Sequence, residues 1–194
     1  MADLGFSGNL VHYLLLRLVV KQVDDDEYQM WLRIDNKMLR FSLREWCLVT
    51  GLKCGNVESL HKKRFGWRIR DQSFGGAQYF KLNEFDSRFD DFNFANMDDT
   101  DALRIALFYF TNRVLCARPF ERRITKEIMH VVNYLDYFNN VSWGTYTWKI
   151  LYKQMTKSLI GKVDKYKKEH IKDHIREKYN FSGFVYGVQV FKTK

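Results

Sequence analysis

The sequence predicts an α+β domain, mainly α: a compact helical domain with one small β-hairpin near the N-terminus. Three observations carry this. Residues 28–41 alternate apolar and polar side chains with a period of two, the pattern of a half-buried strand pair. Most other patterned stretches repeat their apolar residues at three and four, as one helix face requires. Between the two regimes stands Ser42-Leu43-Arg44-Glu45, a capping box in which Ser42 accepts from the Glu45 amide while the Glu45 carboxylate reaches back to Ser42.

Taken in order, Ser7 caps a first helix whose Leu10, Tyr13, Leu14, Leu16, Arg17 and Leu18 run on to the acidic stop Asp24-Asp25-Asp26-Glu27. In the hairpin (28–41), Met30, Leu32 and Ile34 share a face, Asp35-Asn36-Lys37 turns the chain, and Met38 to Phe41 returns. After the capping box a short helix continues through Thr50 and stops at Gly51. Residues 53–76 hold Gly55, Gly66, Gly75 and Gly76 without a period and read as loop. Leu82, Phe85, Phe89 and Phe92 recur as one helical face. The helical core, 98–159, opens where Asp98, Asp99 or Thr100 caps Asp101 to Cys116, a helix apolar on nearly every side and the expected centre of the core. Beyond Pro119, Thr125 opens a helix with Ile128, Val131, Val132, Leu135 and Phe138 in phase, closed by Asn139-Asn140. Ser142 starts the next, with Trp148, Leu151, Tyr152, Met155 and Leu159 on one face. A charged stretch (157–178), helix or loop, leads to a closing segment (181–191) that fits helix or strand. The whole, 1–194, is expected to form a single domain.

Composition narrows the functional classes. The chain carries 32 Lys+Arg against 23 Asp+Glu, a formal charge of +9. Up to Met97 the two signs nearly balance, 14 against 13, so the excess belongs to the C-terminal half. Within 157–178 eight basic residues are interleaved with four acidic ones, which favours a self-paired exposed helix over a uniform phosphate-binding stripe. Apolar types make up 46% of the chain, with 16 Phe, 11 Tyr and 5 Trp, which argues against a disordered chain. With Pro119 as its one proline, it is no proline-rich linker, polyproline ligand or collagen-like chain. Leu10 to Val20, interrupted by His12 and Arg17, is about half the length of a bilayer span. Cys47, Cys54 and Cys116 are too few and too oddly spaced for a disulfide-stapled secreted scaffold. These features predict a soluble intracellular protein in a reducing compartment, without membrane attachment.

Candidate chemistry is sparse. Cys47, between Trp46 and Leu48, reads as a small buried thiol, and its spacing to Cys54 is not CxxC. A catalytic cysteine needs a base and an orienting partner that no local signature supplies. His170 and His174 share a helix face, but Ile171 stands where a metalloprotease needs Glu. His12, His61 and His130 have no sequence partner. Neither GxxxxGK[ST], GxGxxG after a strand, nor GxSxG occurs. No catalytic residue, cofactor or metal is therefore expected. The best functional patch is the loop His61 to Arg70, HKKRFGWRIR, whose basic residues alternate with aromatic ones as in a stacking, phosphate-contacting surface. Its Lys62, Lys63, Arg64, Trp67, Arg68 and Arg70 are the candidate nucleic-acid or partner-binding residues. The competing reading has Phe65 and Trp67 anchoring the loop to the core while the charges solvate it.

Arg40 to Gly55, RFSLREWCLVTGLKCG, closely resembles the signature of the plant domain of unknown function DUF1985. Phe6 to Arg17, Asp101 to Leu115, Val132 to Trp143 and Phe181 to Phe191 resemble, in order, further motifs of that family. The hairpin and the SLREW stretch are also similar to the plant mobile domain. The resemblance implies a plant protein, transposon-derived in many relatives and often beside a separate protease domain specific for small ubiquitin-like modifiers. It points to a recognition module. The expected function is thus a non-catalytic protein-interaction domain of a plant, mobile-element-related protein, whose partner is another protein. The alternatives are nucleic-acid binding through the loop 61–70 and a cryptic cysteine hydrolase. The expected location is the nucleus, ahead of the cytoplasm.

Overall fold

The structure, a computed structural model, describes residues 8–19, 29–56, 81–118 and 126–158. The chain divides into two units, one made of residues 1–54 with 143–194 and the other of residues 55–142. Among the described residues the architecture is mainly helical with a small antiparallel sheet near the N-terminus, the predicted class.

The first unit opens with α1, Gly8–Leu16, which buries Val11, Leu14 and Leu15. The helix stops earlier than its apolar run suggests. Leu18–Val19 leaves it as a short strand, β1, pairing antiparallel with Leu32 and Trp31 of β2 (Met30–Ile34). The expected two-stranded hairpin is therefore a three-stranded sheet, because pairing with β2 outweighs helix continuation in a run apolar enough for either. Arg17 sits at the switch, its carbonyl accepting from the Arg33 amide at 2.9 Å and its guanidinium 3.7 Å from the Tyr13 ring centroid.

β2 turns back into β3 (Lys37–Phe41) with Ile34 opposite Lys37 and Met30 opposite Phe41. The turn is only Asp35-Asn36, with Asp35 at φ 52, a conformation aspartate tolerates better than most residues. The alternation holds: Met30 and Leu32 are buried, and Ile34 packs against the same cluster. Next, α2 (Leu43–Thr50) begins at the capping box and ends at Gly51, left-handed at φ 68, whose amide donates to the Cys47 carbonyl at 2.9 Å. The sheet, α1 and α2 close over Trp148, Leu151 and Met155 of α7 (Trp143–Ser158). At the centre Trp46 and Trp148 lie 5.7 Å apart, and Phe41 meets Trp148 edge-on at 5.3 Å.

In the second unit, α3 (Leu82–Phe89) presents Leu82 and Phe85 inward, ending before Phe92 rather than carrying it in phase. A 3-10 turn, Phe94–Asn96, leads to α4 (Asp99–Phe110). Of the three candidate caps Asp98 is the one used, its carboxylate accepting from the Thr100 and Asp101 amides at 3.1 Å each. Phe85, Phe89, Phe92, Phe94, Phe108 and Tyr109 form an aromatic cluster, with Phe85 edge-on to Phe108 at 4.9 Å and Phe89 stacked on Tyr109 at 4.1 Å. From Thr111 to Leu115 α4 widens into a π turn.

The single helix expected from Thr125 to Phe138 is two: α5 (Lys126–Val132) and α6 (Leu135–Asn140). Asn133 breaks it. Its side-chain amide donates to the Met129 carbonyl at 3.2 Å, and the backbone tightens through Tyr134 to Val131 at 3.1 Å. Periodicity alone is blind to such competition, since the apolar residues on either side of the break stay in phase.

Candidate functional site

Lys62, Lys63, Arg64, Trp67, Arg68 and Arg70 lie outside the described residues, as do His61, His170, His174, the stretch 159–178 and the closing segment 181–191. The loop 53–76 is described only through Asn56.

Cys47, expected as a buried thiol, is instead paired with Cys54 in a disulfide, Cα to Cα 6.3 Å. The reason is local. Gly51, left-handed, folds the chain back beneath the last turn of α2, so that residue 54 arrives beside residue 47. There the returning loop meets α7: the Gly144 amide donates to the Lys53 carbonyl at 2.8 Å. A Cβ at residue 144 would lie 2.7 Å from the Cys54 sulfur and 2.9 Å from the Lys53 carbonyl oxygen. Cys116, by contrast, is buried and free, and burial pushes its thiol up, with Arg118 pulling the other way. A thiol held protonated in this manner is a poor nucleophile. His12 and His130 are both half-buried, in α1 and α5. Among the described residues no three His, Cys, Asp or Glu side chains gather where a metal ion would be held, and no helix is long and apolar enough to cross a membrane.

Carboxylates are pulled in opposite senses in the two units. Burial alone would raise Glu45, but hydrogen bonds from Ser42, whose amide lies 2.8 Å away, and the charge of Arg40 hold its carboxyl below the ordinary range. Asp86 is raised, first by burial and then by Asp90, although Arg113 lies 3.1 Å away and opposes both. Among the described residues neither Asp86 oxygen has a well-directed hydrogen bond, so this is a charge pair more than a hydrogen-bonded one.

The described groove of interest lies in the second unit, where Arg104 of α4 faces the α5–α6 break. It encloses about 540 Å³ and is lined by Arg104, Asn133, Tyr134, Asp136, Tyr137 and Asn140, with Leu135 as its aliphatic member. The break that periodicity misses is what builds it: a continuous helix would carry Tyr134 on round the helix, whereas extended Tyr134 stands 48% exposed at the rim. Arg104 is held from behind by Asp101 at 2.7 Å, and its buried Nε has no hydrogen-bond partner among the described residues. Two tyrosines, an arginine, an aspartate and two carboxamides make a wall of aromatic faces and both hydrogen-bonding senses.

A mainly α, α+β domain with a capped hairpin-to-helix junction and a polar-aromatic groove is the class of protein these features define. The particular family follows from comparison: the family model described as Domain of unknown function (DUF1985) matches residues 18–154, and the chain belongs to that family. No curated protein and no solved structure matches it.

Proposed function

We propose that the chain is a non-catalytic recognition domain of a plant, mobile-element-related protein, and that it binds a segment of another protein in the groove at the α5–α6 break. The observation that carries the reading is the groove wall itself. Tyr134, Tyr137 and Arg104 are the residue types that dominate binding energy at protein interfaces, and here they line an open cleft of about 540 Å³. Held by Asp101, the Arg104 guanidinium is pre-oriented, so little side-chain freedom is lost on binding.

The test is affinity capture from plant nuclear and cytosolic extract, with and without nuclease, using the native chain beside Tyr134→Ala and Arg104→Ala. A partner retained after nuclease treatment and lost by roughly tenfold or more in affinity with either variant supports the reading. Equal capture by all three proteins overturns the groove. A defined substrate turned over in a manner abolished by Cys47→Ala or Cys116→Ala overturns the non-catalytic assignment.

A second reading rests on composition. HKKRFGWRIR, with Lys62, Lys63, Arg64, Trp67, Arg68 and Arg70, suits nucleic acid. It requires affinity for DNA or RNA that falls steeply as salt rises, and it fails if there is no binding at low salt.

A further inference from the structure

The Cys47–Cys54 bridge takes no part in the groove, and its setting is not that of a sealed structural staple. Both cysteines are half-buried, which leaves the bridge in reach of a small thiol. They stand seven residues apart, and a ring that short withdraws less freedom from the unfolded chain than a bridge between distant segments. The turn it spans is also closed without it. The Gly51 amide donates to the Cys47 carbonyl at 2.9 Å, the Thr50 hydroxyl to the Trp46 carbonyl at 2.8 Å, and the Leu52 amide to the Thr50 hydroxyl at 3.3 Å. The third cysteine, Cys116, is buried with its thiol held protonated, so exchange is confined to the pair.

The bridge bears on α7. Gly144 is the second residue of that helix, and an amide so near a helix N-terminus has no acceptor within the helix. It uses the Lys53 carbonyl instead, at 2.8 Å. The Leu52 and Lys53 carbonyls and the Cys54 sulfur all crowd Gly144, each within 3.0 Å of where a Cβ would stand. Residues 52–54 are thus laid on the first turn of α7, and the bridge ties their far end to α2. We propose that the bridge is a reversible redox clasp: closed, it holds residues 52–54 on the first turn of α7, and opened by a small thiol of the glutathione class, it loosens that loop while the first unit stays folded. The step is thiol–disulfide exchange. A thiolate attacks one bridge sulfur, the Cys47–Cys54 bond breaks and a mixed disulfide forms. A second thiolate then removes the first as the oxidised dimer, and two electrons, with two protons from solvent, end on the Cys47 and Cys54 sulfurs. The Leu52 carbonyl, 3.6 Å from the Cys54 sulfur, is in place to accept from the new thiol. An oxidised dimer of the same class reverses each step.

The test equilibrates the full chain in glutathione buffers from fully oxidised to fully reduced, traps free thiols by alkylation under denaturing conditions and counts them by mass. One free thiol is expected at the oxidised end and three at the reduced end, the two gained mapping to Cys47 and Cys54 and lost again when the buffer is returned. Amide hydrogen exchange reads the loop. The Gly144 amide should exchange roughly tenfold faster in the reduced chain, while the Trp46 indole N–H, bonded to Thr147, keeps its protection. Cys47→Ser and Cys54→Ser in oxidised buffer should match the reduced chain at Gly144. A bridge that never forms in oxidised buffer overturns the proposal, as does one that stays closed throughout. So does Gly144 exchange that is equal in the open and closed states. Loss of Trp46 protection on reduction makes the bridge a staple that the fold requires, and the clasp is excluded.

Discussion

Gly144 has no room for a side chain, and the neighbours that exclude one are backbone carbonyls and a sulfur fixed by its bridge. Gly144→Ala must therefore push the 52–54 loop off the first turn of α7, at a cost of about 1–3 kcal/mol, read as a lowered denaturant midpoint with an unchanged slope. Thr147 shows the same dependence on a single atom. Its hydroxyl accepts from the buried Trp46 indole N–H at 3.2 Å and donates to the Trp143 carbonyl at 2.8 Å. Thr147→Val keeps the shape and strands the indole, a loss of about 1–3 kcal/mol. The opposite sign is expected at Thr111, buried in the π turn with no hydrogen-bond partner for its hydroxyl among the described residues. Thr111→Val should leave stability unchanged or raise it, and a clear fall in melting temperature would show that the hydroxyl is bonded after all.

At the scale of the element, the capping box of α2 makes stability depend on pH. Glu45 is depressed on folding, so its contribution is complete above its unfolded value near 4.5 and is lost as pH falls through the lower folded value. Below about pH 5 the native melting temperature should fall more steeply than that of Glu45→Gln, and Ser42→Ala should cost about 1 kcal/mol at neutral pH. This junction was legible in full from four letters, because a capping box is a local exchange of hydrogen bonds between residues three apart. The Met30-Leu32 alternation was legible for the same reason. What escaped was decided by distant or competing partners. β1 exists because Leu18 and Val19 find β2, and the α5–α6 break exists because the Asn133 amide competes for a backbone carbonyl. The groove escaped with the break, since Tyr134 became a rim residue only when the helix stopped. Cys47 and Cys54 were counted correctly and judged by spacing, but spacing says nothing of a left-handed glycine that doubles the chain back between them.

Over the whole molecule, the chain leaves the first unit and returns to it at one place. Lys53 and Gly144 are hydrogen-bonded in the first unit, and in the second a Cβ on Gly55 would stand 2.9 Å from the Ser142 hydroxyl. Such adjacency is what tolerates insertion and excision. Replacing residues 55–142 by a flexible linker of roughly four residues should leave a first unit that unfolds cooperatively with Trp46 and Trp148 still shielded from solvent, followed by tryptophan fluorescence. Retention of the native blue-shifted emission is the expected outcome, and fully solvent-exposed tryptophan would refute it. The same route has a consequence for how the protein is born. Trp46 waits for Thr147, 101 residues later, before its buried N–H has an acceptor. At typical synthesis rates of about 5–20 residues per second, Phe41, Trp46 and the sheet emerge roughly 5–20 s before the helix that covers them, while residues 55–142 are contiguous and can complete their own core first. The part of the first unit made earlier is then the last to be finished, and in that interval its aromatic core is the surface a nascent-chain chaperone would hold.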